Sequence, residues 1–139
     1  MVDYRIEAIT LPVSDVDRAR DFYVQAGWNL DLDTEVGGMR IVQLTPQGSG
    51  CSITFGTGMP QSEPGSYVNT YLVVSDIEAA QRDLKERGIP VSDIYHFGEA
   101  GQTPGANPNR GDYESYADFA DPDGNRWLVQ EVPSRAPAG

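Results

Sequence analysis

The sequence predicts an α+β fold made of two tandem copies of one βαβββ module. Three observations carry that prediction. Residues 11–27 (LPVSDVDRARDFYVQAG) and 72–88 (LVVSDIEAAQRDLKERG) align without a gap, with Leu11/Leu72, Val13/Val74, Ser14/Ser75, Asp15/Asp76, Ala19/Ala80 and Gly27/Gly88 identical. Each copy passes from a short β-rich run into a helical pattern. Each helix is then followed by three strand-like runs separated by turn residues.

The elements follow in order. The first strand is predicted over Ile6 to Val13, and its counterpart over Val68 to Val74. Ser14-Asp15 and Ser75-Asp76 supply side-chain oxygens that cap helices near 15–26 and 76–87. Asp17 and Glu78 place negative charge in the first turns, where the helix dipole favours it. Val16, Ala19, Tyr23 and Ala26 recur at helical spacing, as do Ile77, Ala80 and Leu84. Gly27 and Gly88 stand where a left-handed residue ends a helix. Strands over Trp28–Thr34, Met39–Thr45 and Cys51–Phe55 complete module one, with turns at Gly37-Gly38 and Pro46–Gly50. Val91–Phe97, Tyr113–Ala120 and Arg126–Val132 complete module two, with a turn at Asp121-Pro122-Asp123-Gly124-Asn125. The chain therefore reads as one domain: module one over 1–57, a linker over 58–67, module two over 68–133 and a frayed tail over 134–139. Residues 98–112 are too long and polar for a hairpin turn and read either as a mobile lid or as a surface loop.

Composition narrows the function. The chain has 139 residues and a formal net charge of -11. Ten Lys and Arg against 21 Asp and Glu argue against nucleic acid and anionic membranes, both of which demand clustered positive charge. No apolar run of about 18 residues is present to span a bilayer. MVDYRIEAIT lacks the apolar stretch of a signal peptide, so a cytoplasmic location is expected. The single cysteine, Cys51, excludes an intramolecular disulfide framework. It reads as a small core residue rather than a nucleophile. No nucleophile elbow, P-loop or dinucleotide fingerprint occurs, and no catalytic residue is assigned.

The repeated module, with LxVxDxxxA opening each helix and DPDGN before the last strand, resembles the vicinal oxygen chelate superfamily of glyoxalases, extradiol dioxygenases and bleomycin-resistance-type drug binders. The resemblance implies that the two modules curl into a mixed-sheet cup, that the cup holds a ligand or metal, and that two chains pair as a homodimer. It also implies where a metal would be ligated: near the start of each first strand (HxxLxVxD) and on each last strand. Those positions hold Ala8, Asn69, Thr54 and Leu128. Alanine and leucine have no donor atom, and asparagine and threonine bring no charge to offset dehydration of a divalent cation. With a single histidine, His96, neither a metal nor another cofactor is expected.

Period-two alternation then selects the cup-lining residues. Ile6, Ala8 and Thr10 face the cup from module one with Ser52 and Thr54. Asn69, Tyr71 and Val73 face it from module two with Leu128 and Gln130, and Glu131 faces away. Trp28, Phe97 and Tyr113 are expected near the mouth, although each aromatic taken singly is better read as core packing. The ligand-binding candidates are thus Thr54, Asn69, Tyr71, Gln130, Leu128, Trp28, Phe97 and Tyr113, apolar walls with a few orienting polar groups. The expected function is metal-free binding that sequesters an aromatic or natural-product antibiotic of bleomycin, enediyne or mitomycin type. The alternative is a lyase, isomerase or dioxygenase of the same superfamily.

Overall fold

In the computed structural model, residues 2–135 are described, and the chain divides into two compact units. The first comprises Met1–Tyr67 with Asp121–Asn125; the second comprises Val68–Ala120 and Arg126–Gly139.

The first unit runs β1 (Ala8–Thr10), α1 (Val16–Gln25), β2 (Asn29–Val36), β3 (Met39–Thr45) and β4 (Ser52–Thr57). Its sheet has the order β1-β4-β3-β2, with β1 parallel to β4 and the other pairs antiparallel. Asp15 caps α1 by accepting from the Arg18 amide (3.0 Å). The helix buries Val16, Ala19 and Tyr23 on one face of the sheet, against Leu11, Val42, Leu44 and Phe55. Arg20 of α1 and Arg40 of β3 both reach Asp33 of β2, Arg40 with two bonds of 3.0 and 2.9 Å. Those two guanidiniums, Arg40 foremost, hold the Asp33 carboxyl down to about 2.

The second unit runs β5 (Thr70–Val74), α2 (Ile77–Glu86), β6 (Tyr95–Gly98), β7 (Gly101–Pro104), β8 (Ser115–Ala120) and β9 (Arg126–Glu131). A short 3₁₀ turn covers Pro133–Arg135. The sheet order is β5-β9-β8-β6-β7, so the first four strands repeat the arrangement of the first unit and β7 is added at the edge. Registers repeat as well: Thr10 lies opposite Thr54 as Tyr71 lies opposite Leu128. Asp76 caps α2 by accepting from the Glu78 and Ala79 amides.

The predicted helices, caps and module order are observed, and four boundaries are corrected. The first strand is confined to Ala8–Thr10, because residues 2–7 have no partner strand among the described residues. Residues 91–97 do not form one strand: Val91 makes a single bridge to Phe119, 92–94 leave the ladder, and β6 begins at Tyr95. Residues 98–112 are not all loop, since Gly101–Pro104 pairs with β6 as a hairpin. Tyr113 lies before β8 with φ of 65°, a left-handed conformation that stops the strand at Ser115. The expected fray over 134–139 falls largely on residues 136–139, which lie outside the described residues; Ser134 itself donates its amide to Asp112 (3.0 Å).

Two segments read from sequence as connectors are fastened into the first unit. Gln61 bonds both backbone groups of Val13 (3.1 Å each), and Gly65 donates to the Pro12 carbonyl (3.3 Å). The DPDGN turn belongs to this unit too. Asp121 Oδ2 accepts from the Tyr23 hydroxyl (2.8 Å) and from Asn125 Nδ2 (2.9 Å). Asn125 Nδ2 also donates to the Pro12 carbonyl (2.7 Å), while Asp123 accepts from the Ser14 amide and hydroxyl. The turn motif thus satisfies buried polar groups at the start of α1.

Candidate functional site

Each sheet has one face under its helix and one face free of it. On the second sheet the ladder defines the free face in rows. Tyr71, Leu128 and Asp118 are mutually opposite across β5, β9 and β8. Val73, Gln130, Tyr116 and Tyr95 form the next row. Phe97 and Arg126 share this face through period-two alternation with Tyr95 and Leu128. The other face carries Trp127, Val129, Ala117 and Phe119, all buried.

This free face carries large aromatic groups in the open. Tyr71 is 54 % exposed and Phe97 60 % exposed. Phe97, Tyr116 and Tyr95 form a cluster: Tyr95 and Tyr116 stack at 5.9 Å, and Phe97 meets both edgewise at 5.9 and 5.7 Å. A polar group adjoins it. Arg126 Nη2 donates to Asp118 Oδ2 (2.8 Å) and to the Tyr95 hydroxyl (3.2 Å), and that hydroxyl donates to the same carboxylate oxygen (3.0 Å). Burial, reinforced by Asp118, raises the Tyr95 phenol above its ordinary value, so it remains a donor at neutral pH. Asp118 Oδ1 accepts no hydrogen bond among the described residues. Asp118 borders an open cleft of about 470 Å³ shared with Tyr95, Gln102, Pro104 and Ser92.

The free face of the first sheet mixes hydroxyl and amide groups with Met39, Ile41, Leu32 and Val36, the last two exposed. Thr10 and Thr54 share a hydroxyl bond (3.2 Å), and Thr45 shares another with Ser52 (2.6 Å). Thr45 also donates to Asp31, which with Asn29 holds that carboxyl below its ordinary range.

The sequence-derived candidates separate accordingly. Tyr71, Leu128, Gln130 and Phe97 lie together on the free face of the second sheet, with Asn69 exposed just before β5. Leu128 is buried there and acts as floor rather than as an exposed contact. Thr54 lies on the free face of the first sheet, in the other unit. Trp28 is buried against Tyr23 (centroids 4.8 Å apart) and borders an open cleft with Asn29, Asp31 and Thr45 in the first unit. Tyr113 is exposed, but Arg135 lies over its ring at 6.0 Å and bonds its hydroxyl (3.2 Å). Cys51 is half-buried, its thiol directed at the Ser52 carbonyl (3.7 Å). Tyr95 and Arg126 were not among the candidates. The signal for both was present in period two, since Arg126 precedes Leu128, and Tyr95 precedes Phe97, by two residues.

The positions where the resemblance implies metal ligands do not fit a metal. Ala8 and Leu128 have no donor, and the Thr54 hydroxyl is engaged with Thr10. Among the described residues no three His, Cys, Asp or Glu side chains cluster as ligands. His96 bonds the Gly105 carbonyl through Nδ1 (2.7 Å). Glu131 is turned to the helix side, where Arg110 and the Ile77 amide hold its carboxylate. No helix among the described residues is long and apolar enough to cross a membrane.

Comparison with known proteins adds a family and several structures. The profile described as Glyoxalase/Bleomycin resistance protein/Dioxygenase superfamily matches residues 5–129. TnmS3, an antibiotic binding protein from Streptomyces sp. CB03234, is similar at 29% identity and a TM-score of 0.72, covering 95% of this chain and 98% of its own. A glyoxalase/bleomycin resistance protein from the same organism is 31% identical, with a TM-score of 0.68 over 91% of this chain and 100% of its own. A superfamily member from Sphaerobacter thermophilus DSM 20745 is 28% identical, with a TM-score of 0.68 over 93% and 98%. No curated protein matches the chain.

Proposed function

The chain belongs to the glyoxalase/bleomycin resistance protein/dioxygenase superfamily, and from that premise we propose that it is a metal-free binding protein which sequesters an aromatic antibiotic. The observation that carries the reading is the helix-free face of the second sheet. There Tyr71, Phe97 and Tyr116 stand beside the Arg126–Asp118–Tyr95 group. Exposed aromatic surface edged by oriented polar groups marks a ligand surface. A planar ligand stacks on such rings, and Asp118 Oδ1 and Gln130 offer polar groups to orient it. The donor-poor Ala8, Thr54, Asn69 and Leu128 set supports binding over metal-assisted chemistry. The similarity to an antibiotic binding protein points the same way. Ligands of bleomycin, enediyne or mitomycin type are the class to test. The binding form is proposed to be a homodimer acting in the cytoplasm, where capture lowers free drug by mass action.

The test is titration of such compounds against the parent chain and Tyr71→Ala, followed by fluorescence or calorimetry. Loss of a well-packed aromatic contact is expected to cost about 2 kcal/mol, roughly thirtyfold in affinity. The ligand should be recovered unchanged. Equal affinity in Tyr71→Ala overturns the choice of face, and catalytic conversion of the ligand replaces binding with the enzymatic alternative.

A further inference from the structure

The edge strand β2 carries a bulge. Leu30 lies opposite Leu44 and Leu32 opposite Gln43, so two steps along β2 match one along β3, and Asp31 is the extra residue. Leu30 keeps to the side of buried Leu44. Asp31 instead turns its carboxylate to the free face, where Asn29 Nδ2 (2.7 Å), Gln43 Nε2 (3.3 Å) and the Thr45 hydroxyl donate to it. Thr45 first, then Asn29, hold the carboxyl below its ordinary value, so it is ionised at neutral pH. No other charged side chain falls on that face in the register of the four strands. Arg20 and Arg40 pair with Asp33 and Asp17, and no cation pairs with Asp31 among the described residues. A bulge by itself blunts a sheet edge. It does not account for a carboxylate gathered by three neutral donors and left without a counter-charge. Beside Asp31 lies an open cleft of about 540 Å³, bordered also by Asn29 and Thr45 and walled by Val24, Trp28 and Pro46. Val24, on the last turn of α1, is 47 % exposed there.

We infer that this cleft is a second binding site, for an organic ammonium ion whose charged head meets Asp31 and whose apolar body lies against Val24, Trp28 and Pro46. The acceptor geometry narrows the class. A carboxylate offers about four lone-pair positions, two on each oxygen. Gln43 and Thr45 both occupy Oδ2, and Asn29 occupies one position on Oδ1. One position on Oδ1 remains. It suits a single N–H of an ammonium group and falls short of the paired positions that a guanidinium fork demands. A divalent metal needs more oxygen ligands, and no three His, Cys, Asp or Glu side chains cluster among the described residues. The site lies wholly within the first unit, apart from the aromatic face of the second, so the two binding proposals stand or fall separately.

The test uses Trp28 as its own reporter. Trp127→Phe leaves it the sole tryptophan, at the edge of the cleft. Phenethylammonium, titrated at neutral pH and constant ionic strength, should change the Trp28 emission and its indole N–H chemical shift saturably. 2-Phenylethanol and phenylacetate, of the same shape without the positive charge, should not. Asp31→Asn should weaken phenethylammonium binding by about tenfold or more, with far-UV circular dichroism checking that the variant is folded. The comparison with the alcohol tests the same point without altering Asp31. Phenethylguanidinium should bind the parent more weakly than phenethylammonium, and Gln43→Ala, which opens a position on Oδ2, should narrow that gap. A parent with no saturable response, an alcohol that binds as well as the amine, unchanged affinity in folded Asp31→Asn, or a parent that prefers the guanidinium overturns the inference.

Discussion

At the scale of single residues, the most consequential charge is Glu131. It is fully buried, yet ionised, because Arg110 Nε (3.0 Å) and Nη2 (2.7 Å) and the Ile77 amide (2.8 Å) surround it. Arg110 first, and that amide after it, hold the carboxyl below its ordinary value against the opposing effect of burial. A folded pKa below the unfolded one adds stability that is complete above the unfolded value of about 4.5 and is lost as pH falls through the folded value. Arg110→Ala strands a buried carboxylate and should cost about 3 kcal/mol in urea unfolding at neutral pH. Adding Glu131→Gln to Arg110→Ala should recover much of that loss. It should also flatten the acid limb of the stability curve relative to the parent. A parent-like acid limb in the double variant would show that Glu131 does not titrate as argued. The same clamp bears on residues 98–112, read from sequence as lid or surface loop. Arg110, with φ of 48°, ties this segment to Glu78 of α2 and to its capping Asp76 as well.

At the scale of elements, β4 shows how closely its neighbours approach. A Cβ on Gly56 would lie 1.8 Å from the Arg40 carbonyl oxygen, well inside contact distance and against backbone that cannot swing aside. Gly56→Ala should therefore destabilise the first unit by about 2 kcal/mol or more, through β3–β4 displacement. Gly50→Ala, where a Cβ meets nothing within 4 Å, is the control expected to stay near parent stability. A Gly56→Ala melting curve matching the control would refute the close approach. Elements of this kind were legible in sequence where period and punctuation agreed. Both helices lie between an aspartate cap and a glycine, and Val42–Thr45 alternates apolar with polar. The failures have physical causes too. Gly101–Pro104 (GQTP) carries no apolar period, so its pairing to β6 is a tertiary effect. Tyr113 takes a left-handed conformation that tyrosine rarely adopts, so the sequence extended the strand through it. Parity alone places Tyr71, Leu128 and Gln130 on one face of the second sheet, as the ladder has them. Trp28 shows that size and aromaticity do not separate a rim from a core, since it packs on Tyr23 and borders a cleft as well.

At the scale of the whole molecule, the two units are interleaved along the chain. The polypeptide leaves the second unit after Ala120, contributes Asp121–Asn125 to the first, and returns at Arg126. The five residues are not a passive link. Tyr23, Pro12, Ser14 and Tyr67 of the first unit all bond to them, and Asp121 and Asn125 are buried there. Ala120 and Arg126, which flank them, are themselves paired across β8 and β9. Unfolding of the first unit should therefore release the β8–β9 turn and weaken the second, and a single cooperative transition is expected. The two tryptophans allow a direct measurement, since Trp28 belongs to the first unit and Trp127 to the second. In a Trp127→Phe background the remaining emission reports on the first unit, and in a Trp28→Phe background it reports on the second. Asn125→Ala removes the bonds to Asp121, Pro12 and the Tyr67 amide, at a cost of about 1–3 kcal/mol for the buried groups left without partners. If the units are coupled as the interleaving requires, that substitution lowers the urea midpoint equally in both backgrounds. A shift seen by Trp28 and not by Trp127 would mean that the second unit holds its β8–β9 hairpin without help, and that the repeat is two folding units rather than one.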